Sequence, residues 1–435
     1  MKAAKSEHGR KGFRGLRAFR SFPANSRLVC VSQARMMPAM RFALPAALAL
    51  AAAPEPRFER RTITTDFFSE GCAVGDLNGD GRPDIVAGPH WYAGPEFRLR
   101  HTFAANPGRP YDPLGYSESF VQLVADLNGD GKPDVITVGF PGKETYWYEN
   151  PGAPGTAPWK RHLFLASTDN ESPHLVDLDG DGRPYLVCMS GGAVGYAKLN
   201  PLDPTQPAKF VPVSPAEPKK YQRFTHGLGV GDLNGDGIPD ILERSGWWEH
   251  PAATAPLDTQ WKFHPMAFSA GRNGGAQMIV TDVDGDGLPD VLTSLDAHRF
   301  GLSWFQQKRT PEGITFVEHR ILDDKPENSA GGFALGQMHA LVLSRQIVAG
   351  QPALVTGKRF WAHGPKGDVN PQATPLVLWL TWAKDAEGKV VFNPRVADTE
   401  AGIGTQFEVA DLDGDGRAEI VVANKKGLHV LSSAR

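Results

Sequence analysis

A motif of the form D-x-[DN]-x-D-G recurs six times along this 435-residue chain, and that recurrence restricts the possible folds more than any other feature. The segments are VGDLNGDGRPDIV from Val74, VADLNGDGKPDVI from Val124, LVDLDGDGRPYLV from Leu175, VGDLNGDGIPDIL from Val230, VTDVDGDGLPDVL from Val280 and VADLDGDGRAEIV from Val409. Their first aspartates are separated by 50, 51, 55, 50 and 129 residues. The last gap holds two periods. Phe333–Arg359 supplies the missing unit, keeping the strand pattern and lacking the acidic loop. Each unit sends a short apolar strand into the loop and a second strand out of it. An aromatic segment follows (HWYAGP, YWYENP, GWWEHP or LSWFQQ), then a further strand such as WKRHLFLA or WKFHPMAF. Four strands in roughly 54 residues make one propeller blade. RFERRTIT at Arg57–Thr64 resembles the unit-opening strands but precedes the first loop, while the last unit ends soon after its inner strands. The expected fold is therefore all-β: a seven-bladed β-propeller of four-stranded blades, with the N-terminal strand closing the last blade. A β-solenoid and a string of separate modules are the competing architectures, and the complementary ends favour closure.

In D-L-N-G-D-G-R-P-D, side-chain oxygens fall at positions 1, 3, 5 and 9, and alternate spacing turns them toward one point. Glycine at position 6 permits the sharp turn, and the carbonyl of position 7 joins the cage. A cation that accepts six or seven oxygens at flexible distances fits, which means Ca²⁺ rather than Mg²⁺. No thiolate or imidazole is present to favour zinc or copper. A plain Asx-turn explains one copy, not six at near-regular spacing. The expected ligands are Asp76, Asn78, Asp80 and Asp84, then Asp126, Asn128, Asp130 and Asp134. The third loop offers Asp177, Asp179 and Asp181, and the fourth Asp232, Asn234, Asp236 and Asp240. The last two offer Asp282, Asp284, Asp286 and Asp290, and Asp411, Asp413, Asp415 and Glu419. About five to six structural calcium ions are implied. Tyr185 replaces the ninth-position acid of the third loop, so that site should be weaker or empty, and the sixth unit has none. Unloaded loops crowd like charges, so ion binding should contribute to folding free energy and staple strands without doing chemistry.

Residues 1–53 read as a removable leader. The first 39 residues are basic and aperiodic, and from Met40 the text MRFALPAALALAAAPEP has a basic start, a short apolar run and small residues. Ala49-Leu50-Ala51 fits a signal-peptidase site, and the apolar run is too short to span a bilayer. A secretory signal starting at Met36, Met37 or Met40, after a mis-assigned start, is the preferred reading. A long basic n-region and an organellar transit peptide are the alternatives. The expected mature protein, residues 54–435, is thus secreted or periplasmic, with no integral membrane segment. Residues 1–51 carry ten of the 46 Lys and Arg and one of the 49 Asp and Glu, so 36 bases face 48 acids in the remainder. An acidic surface argues against a nucleic-acid partner. Cys72 and Cys188 lie in different repeats, so no disulfide framework is indicated.

The repeated loops resemble the FG-GAP/VCBS repeats, whose best-known members form the integrin α-chain head propeller. The resemblance covers residues from about 57 to 435. A closer similarity is to secreted bacterial propellers carrying FTHGLGVGD (from Phe224), GGAQM (Gly274), TGKRFWAHGPKGD (Thr356) and GIGTQ…NKKG (Gly402, Asn424). The propeller part of aldos-2-ulose dehydratase is similar more remotely.

In such a blade the acidic loops share one face. Residues just before the first strand, or just after the second, then meet on the opposite face around the axis. The first class holds Glu70, Glu118, His174, His226, Gln277, Gln337, His339 and Gln406. The second holds His90, Trp91, Trp247, Asp296, His298, Lys358, Arg359, Trp361, His363 and Lys425. A rim of histidines, tryptophans and a Lys-Arg pair suits carbohydrate, whose ring faces stack on tryptophan and whose hydroxyls take directional hydrogen bonds. Each histidine taken singly reads as a satisfied turn residue. The leading expectation is a module binding extracellular carbohydrate or protein through His90, Trp91, His226, Trp247, His298, His339, Lys358, Arg359, Trp361 and His363. The alternative is a lyase or dehydratase on keto-sugars, in which a rim histidine (candidates His226, His339 and His298) removes the proton next to a carbonyl while Lys358, Arg359 or a histidine-bound metal stabilises the enolate, so enzymatic activity stays open. That alternative rests on the histidine placement and the dehydratase resemblance. No G-x-S-x-G, H-E-x-x-H or phosphate-binding glycine loop is present.

Overall fold

A computed structural model describes residues 55–434 apart from 106, 154, 156, 253, 254, 257, 258, 272 and 273. The leader expected in residues 1–53 lies outside the described residues. The rest forms seven four-stranded antiparallel sheets. Blade 1 runs Ala73–Gly75, Asp84–Ala87, His90–Tyr92 and Arg100–Thr102 from axis to rim. The inner strands of blades 2 to 6 are Val121–Ala125, His174–Val176, Leu228–Gly231, Ile279–Thr281 and Leu341–Val348. Blade 7 takes Phe407–Ala410, Glu419–Asn424 and Gly427–Ser433 from the C-terminal end, and Phe58–Thr64 from the N-terminal end as its outermost strand. Ring closure by the N-terminal strand is therefore present, and the inner strand of blade 1 packs against those of blades 2 and 7. Among the described residues the only helical turns are Pro326–Asn328 and Ala330–Gly332, and no helix is long and apolar enough to cross a membrane.

Second strands are apolar without alternation, as in Asp84-Ile85-Val86-Ala87, where all four residues are buried. Each is covered on both faces by neighbouring blades, which removes the half-polar pattern of a solvated sheet. The core accordingly sits in the seams between blades: Ile85 and Tyr92 of blade 1 pack with Val421 and Leu428 of blade 7. Near the axis the inner strands crowd, and a Cβ on Gly229 would lie 2.3 Å from the Met278 carbonyl.

Each aromatic segment presents a tryptophan to a partner on the outermost strand. Trp91 stacks on His101, Trp147 on His162, Trp247 on His264 and Trp304 on His319, with centroid distances of 4.1–4.4 Å. All four are directly opposed cross-strand pairs. In blade 6, Arg395 stands over Trp379 in the same register. This repeated stack corrects three sequence expectations. Trp91 and Trp247 are 2% exposed inside blade seams. His90 is buried, its Nδ1 2.9 Å from Thr102 Oγ1 and its ring against Phe68. The third strand turns these side chains into the seams, away from the axis.

The acidic loops are cross-braced by their own side chains. In the first, Asp76 accepts from the N–H groups of Gly79, Asp80 and Gly81, and Asn78 and Asp80 accept from Asp80 and Arg82. The ninth-position acid is a buried clamp: Asp84 accepts from Leu77 N–H and Gly94 N–H, each at 2.9 Å. Asp134, Asp240 and Asp290 repeat both contacts, and Glu419 the first. Within each of three loops, side-chain oxygens lie within 4.8 Å of one another and fit a calcium cage: Asp177, Asp179 and Asp181; Asp282, Asp284 and Asp290; and Asp411, Asp413 and Glu419. The third loop is different. Lys198 places its ammonium 2.6 Å from Asp181 and 3.2 Å from Asp179, and the Tyr185 hydroxyl donates to Asp179 at 2.5 Å. There the chain supplies its own cation.

Candidate binding site at the axial mouth

The repeat brings one register position of each inner strand to the axis on the face opposite the acidic loops. Glu70, Glu171 and His226 each stand six residues ahead of the first aspartate of their loops, Asp76, Asp177 and Asp232. The structure brings these three together with Arg359, which enters from the end of the second strand of blade 6. Arg359 donates from Nη1 to Glu171 Oε2 at 2.9 Å and from Nη2 to Glu70 Oε2 at 3.2 Å. All three side chains are at most 5% exposed. The His226 Nε2 lies 3.5 Å from the same Glu171 oxygen. Glu171 is absent from the residues singled out by sequence. Its shared register with Glu70 and His226 is the signal that identifies it.

His298 follows the second strand of blade 5, and His339 precedes the inner strand of blade 6. Their rings and that of His226 meet edge to face at centroid distances of 4.7–5.2 Å. His339 Nδ1–H donates to the Gln337 carbonyl at 3.2 Å, and His298 Nδ1 stands 3.2 Å from Asp368 Oδ1 without hydrogen-bond alignment. His363, about half exposed, shares Asp368 at 2.8 Å and faces His298. Lys358 is buried, and its ammonium has no hydrogen-bond partner among the described residues.

Burial and charge set the protonation states here. Burial pushes His339 well below the usual imidazole value, helped by the Arg359 charge, and lowers His298 against the pull of Asp368. Burial lowers Lys358 to about 8, opposed by Asp368. Glu70 is raised by burial despite Arg359 and Lys425, whereas in Glu171 the neighbouring His226 and Arg359 overcome burial and hold the carboxyl low. Two similar carboxyls beside one guanidinium are thus driven apart.

The backbone is strained at the same place. Five described non-glycine residues have positive φ, and four of them lie in the segments that carry this cluster: Phe224 (64°), Gln337 (60°), Asp368 (58°) and Asn370 (47°). Phe224 and Gln337 each stand two residues before a histidine of the trio, and Asp368 is the carboxylate shared by His298 and His363. Strain of this kind concentrates at functional sites.

Beside the cluster, between blades 1 and 2, lies a cavity of about 490 Å³ lined by Tyr111, Tyr116, Glu118, Tyr146, Tyr148 and Arg161. Tyr116 joins the two regions. Its ring packs near Phe120, which lies under the Arg359 guanidinium at 5.6 Å, and the Lys425 ammonium stands 4.5 Å over its centroid. Several expected rim residues serve the frame instead. His174 bonds the Leu228 carbonyl, Gln277 accepts from Leu341 N–H, and Gln406 exchanges hydrogen bonds with the backbone of Gln122. Trp361 donates to the Pro371 carbonyl and stacks on Phe360. Cys72 and Cys188 are free and buried.

Residues 126–188 match the model of the FG-GAP-like repeat. No curated protein matches. Among solved structures, an Agrocybe aegerita lectin described as recognising non-reducing terminal N-acetylglucosamine is 17% identical over 87% of this chain and 86% of its own, with a TM-score of 0.45. The rhamnogalacturonan lyase YesW is 14% identical over 88% and 75%, at a TM-score of 0.41. A Bacillus licheniformis rhamnogalacturonan lyase is 14% identical over 88% and 74%, at 0.39. The chain is a seven-bladed β-propeller in which residues 126–188 match an FG-GAP-like repeat.

Proposed function

We propose that this protein is an exported, calcium-stapled propeller that binds a carbohydrate-class ligand at the axial mouth opposite its acidic loops. One observation carries the reading: Lys358 Nζ, Arg359 Nε, His339 Nε2 and both His226 nitrogens are buried there without hydrogen-bond partners among the described residues. Each such group costs about 1–3 kcal/mol in a folded chain, so a cluster of them is retained for a ligand. Donors and acceptors of both signs beside a tyrosine-lined cavity match a polyhydroxylated ring bearing a carboxylate or carbonyl. The Arg359 and Lys358 cations favour an acidic or oxidised sugar over a neutral one.

The test is calorimetric titration of the calcium-loaded protein with neutral sugars, uronates and 2-keto-sugars, repeated with one equivalent of added Co²⁺. Binding by an acidic or keto-sugar, weakened about 10-fold or more in Lys358→Met, is the expected result. A panel that fails to bind in both arms, or binding indifferent to Lys358→Met, overturns it.

A second reading, a lyase at the same mouth, is favoured by the depressed Lys358. A base near its working pH can take the proton next to a sugar carbonyl while the β-hydroxyl leaves as water, with Arg359 facing the enolate oxygen. Growth of an enone absorbance with keto-sugars would establish turnover, and its absence leaves binding alone.

A further inference from the structure

The three axial histidines come from three different blades and converge edge to face at the axis. One ligand nitrogen from each of His226, His298 and His339 lies within 4.8 Å of the other two. In a compact four-coordinate site with metal–nitrogen bonds of roughly 2.0–2.1 Å, such nitrogens stand roughly 3.4 Å apart, a closure that ring rotation supplies. Packing alone does not account for the trio. Both nitrogens of His226 and Nε2 of His339 are buried without hydrogen-bond partners among the described residues, while His298 turns Nδ1 toward Asp368 and keeps Nε2 for a ligand. The His339 tautomer is set by the protein: a carbonyl only accepts, so Nδ1 carries the proton toward Gln337, and the Nε2 lone pair is left free.

We propose that His226, His298 and His339 form a three-histidine site for a first-row divalent transition metal, distinct in face and chemistry from the acidic loops. The donor set separates the two kinds of site. Imidazole nitrogen suits zinc, cobalt, nickel or iron, whereas the all-oxygen loops suit calcium. Outer carboxylates stand where a metal site places them: Glu171 3.5 Å from His226, and Asp368 3.2 Å from His298. They supply negative charge beside a cation that would otherwise face Arg359. The strained Gln337 and Phe224 fix the chain two residues before His339 and His226, which is how a site is held ready before its ion arrives. Three protein ligands leave a coordination position for an oxygen of water or of a bound molecule. If the carbohydrate reading holds, that oxygen belongs to a carbonyl or hydroxyl of the sugar; the metal site itself does not depend on that reading.

The experiment uses tag-free protein, stripped by chelator and returned to millimolar calcium so that the acidic loops are filled, then titrated with Co²⁺ and with Zn²⁺. The expected result is one equivalent of Co²⁺ taken up over calcium, with visible absorption bands of a four- or five-coordinate imidazole site that Zn²⁺ displaces. His339→Ala and His226→Ala should abolish the bands. Asp368→Asn should retain one equivalent and weaken affinity about 10–100-fold. Asp282→Asn, in an acidic loop, should leave the Co²⁺ spectrum unchanged. His298→Gln, at the less buried member of the trio, gives a ligand loss with little packing change should an alanine variant fail to fold. No stoichiometric uptake over calcium, or uptake unaltered in His298→Gln and His339→Ala, overturns the proposal. Sugar binding in calcium alone would survive that failure, so the two readings are separable.

Discussion

Arg359 is the residue on which the axial mouth depends. It is the shared partner of two buried carboxylates, so its removal leaves charge without compensation rather than one hydrogen bond fewer. Arg359→Met should cost about 3–5 kcal/mol, read from urea unfolding in saturating calcium, and Arg359→Lys should recover only part because it cannot span both acids. Glu408, on the inner strand of blade 7, makes a second residue-level case. Burial raises its carboxyl to about 7 from 4.5, against a hydrogen bond from Gln406. The folded state therefore holds a proton between about pH 4.5 and 7 that the unfolded chain has released. Stability must fall as pH rises through that window. Glu408→Gln should lessen the loss in urea midpoint between pH 5 and pH 8; an unchanged difference would place its source elsewhere.

The blade is the element that repeats, and a stacked Trp–His pair recurs in four of the seven. Trp247→Ala opens a seam cavity and should cost about 3–5 kcal/mol. His264→Ala removes only the stacking partner and should cost about 0.5–1.5 kcal/mol. Equal losses in denaturation midpoints would show that the stack, not the seam, is what matters. The acidic loops differ among themselves more than their spelling suggests. Lys198 sits against two carboxylates of the third loop, occupying the charge role an ion would take. Lys198→Met should therefore raise bound calcium by one equivalent in equilibrium dialysis. An unchanged count would mean that the missing ninth acid at Tyr185 already prevents binding.

Across the whole molecule, ring closure and the proposed calcium ions would share the work of holding the ring. Five loops keep a ninth-position acid. With dissociation constants of about 10⁻⁴–10⁻³ M, 1 mM calcium would stabilise five sites by about 2–7 kcal/mol in total. Chelation should lower the melting temperature, and added Ca²⁺ should restore it. Closure is the other device. The strand Phe58–Thr64 completes blade 7, and Arg60 pairs with Asp398 of blade 6 at 3.2 Å. A protein starting after Thr64 should melt more than about 10 °C lower by scanning calorimetry, since an outermost strand and its seam are lost together.

Blade number, strand count and the closing strand were all legible in the sequence. Each rests on contacts local to one repeat or on the matching of two ends, and local hydrogen-bonding patterns leave a periodic trace. The loops' internal bracing belongs to the same class. The candidate site was only half legible. His226, His298, His339, Lys358 and Arg359 fall on the face their register implies, while Trp91, Trp247 and His90 turn into the seams because the third strand packs between blades. Glu171 was spelled out by its register with Glu70 and His226, yet its meaning appears only when Arg359 arrives from blade 6. Which groups lack a partner, and where Lys198 replaces an ion, depends on segments far apart in sequence whose separation is set by ring closure. That is a property of the assembled ring, and no single repeat contains it.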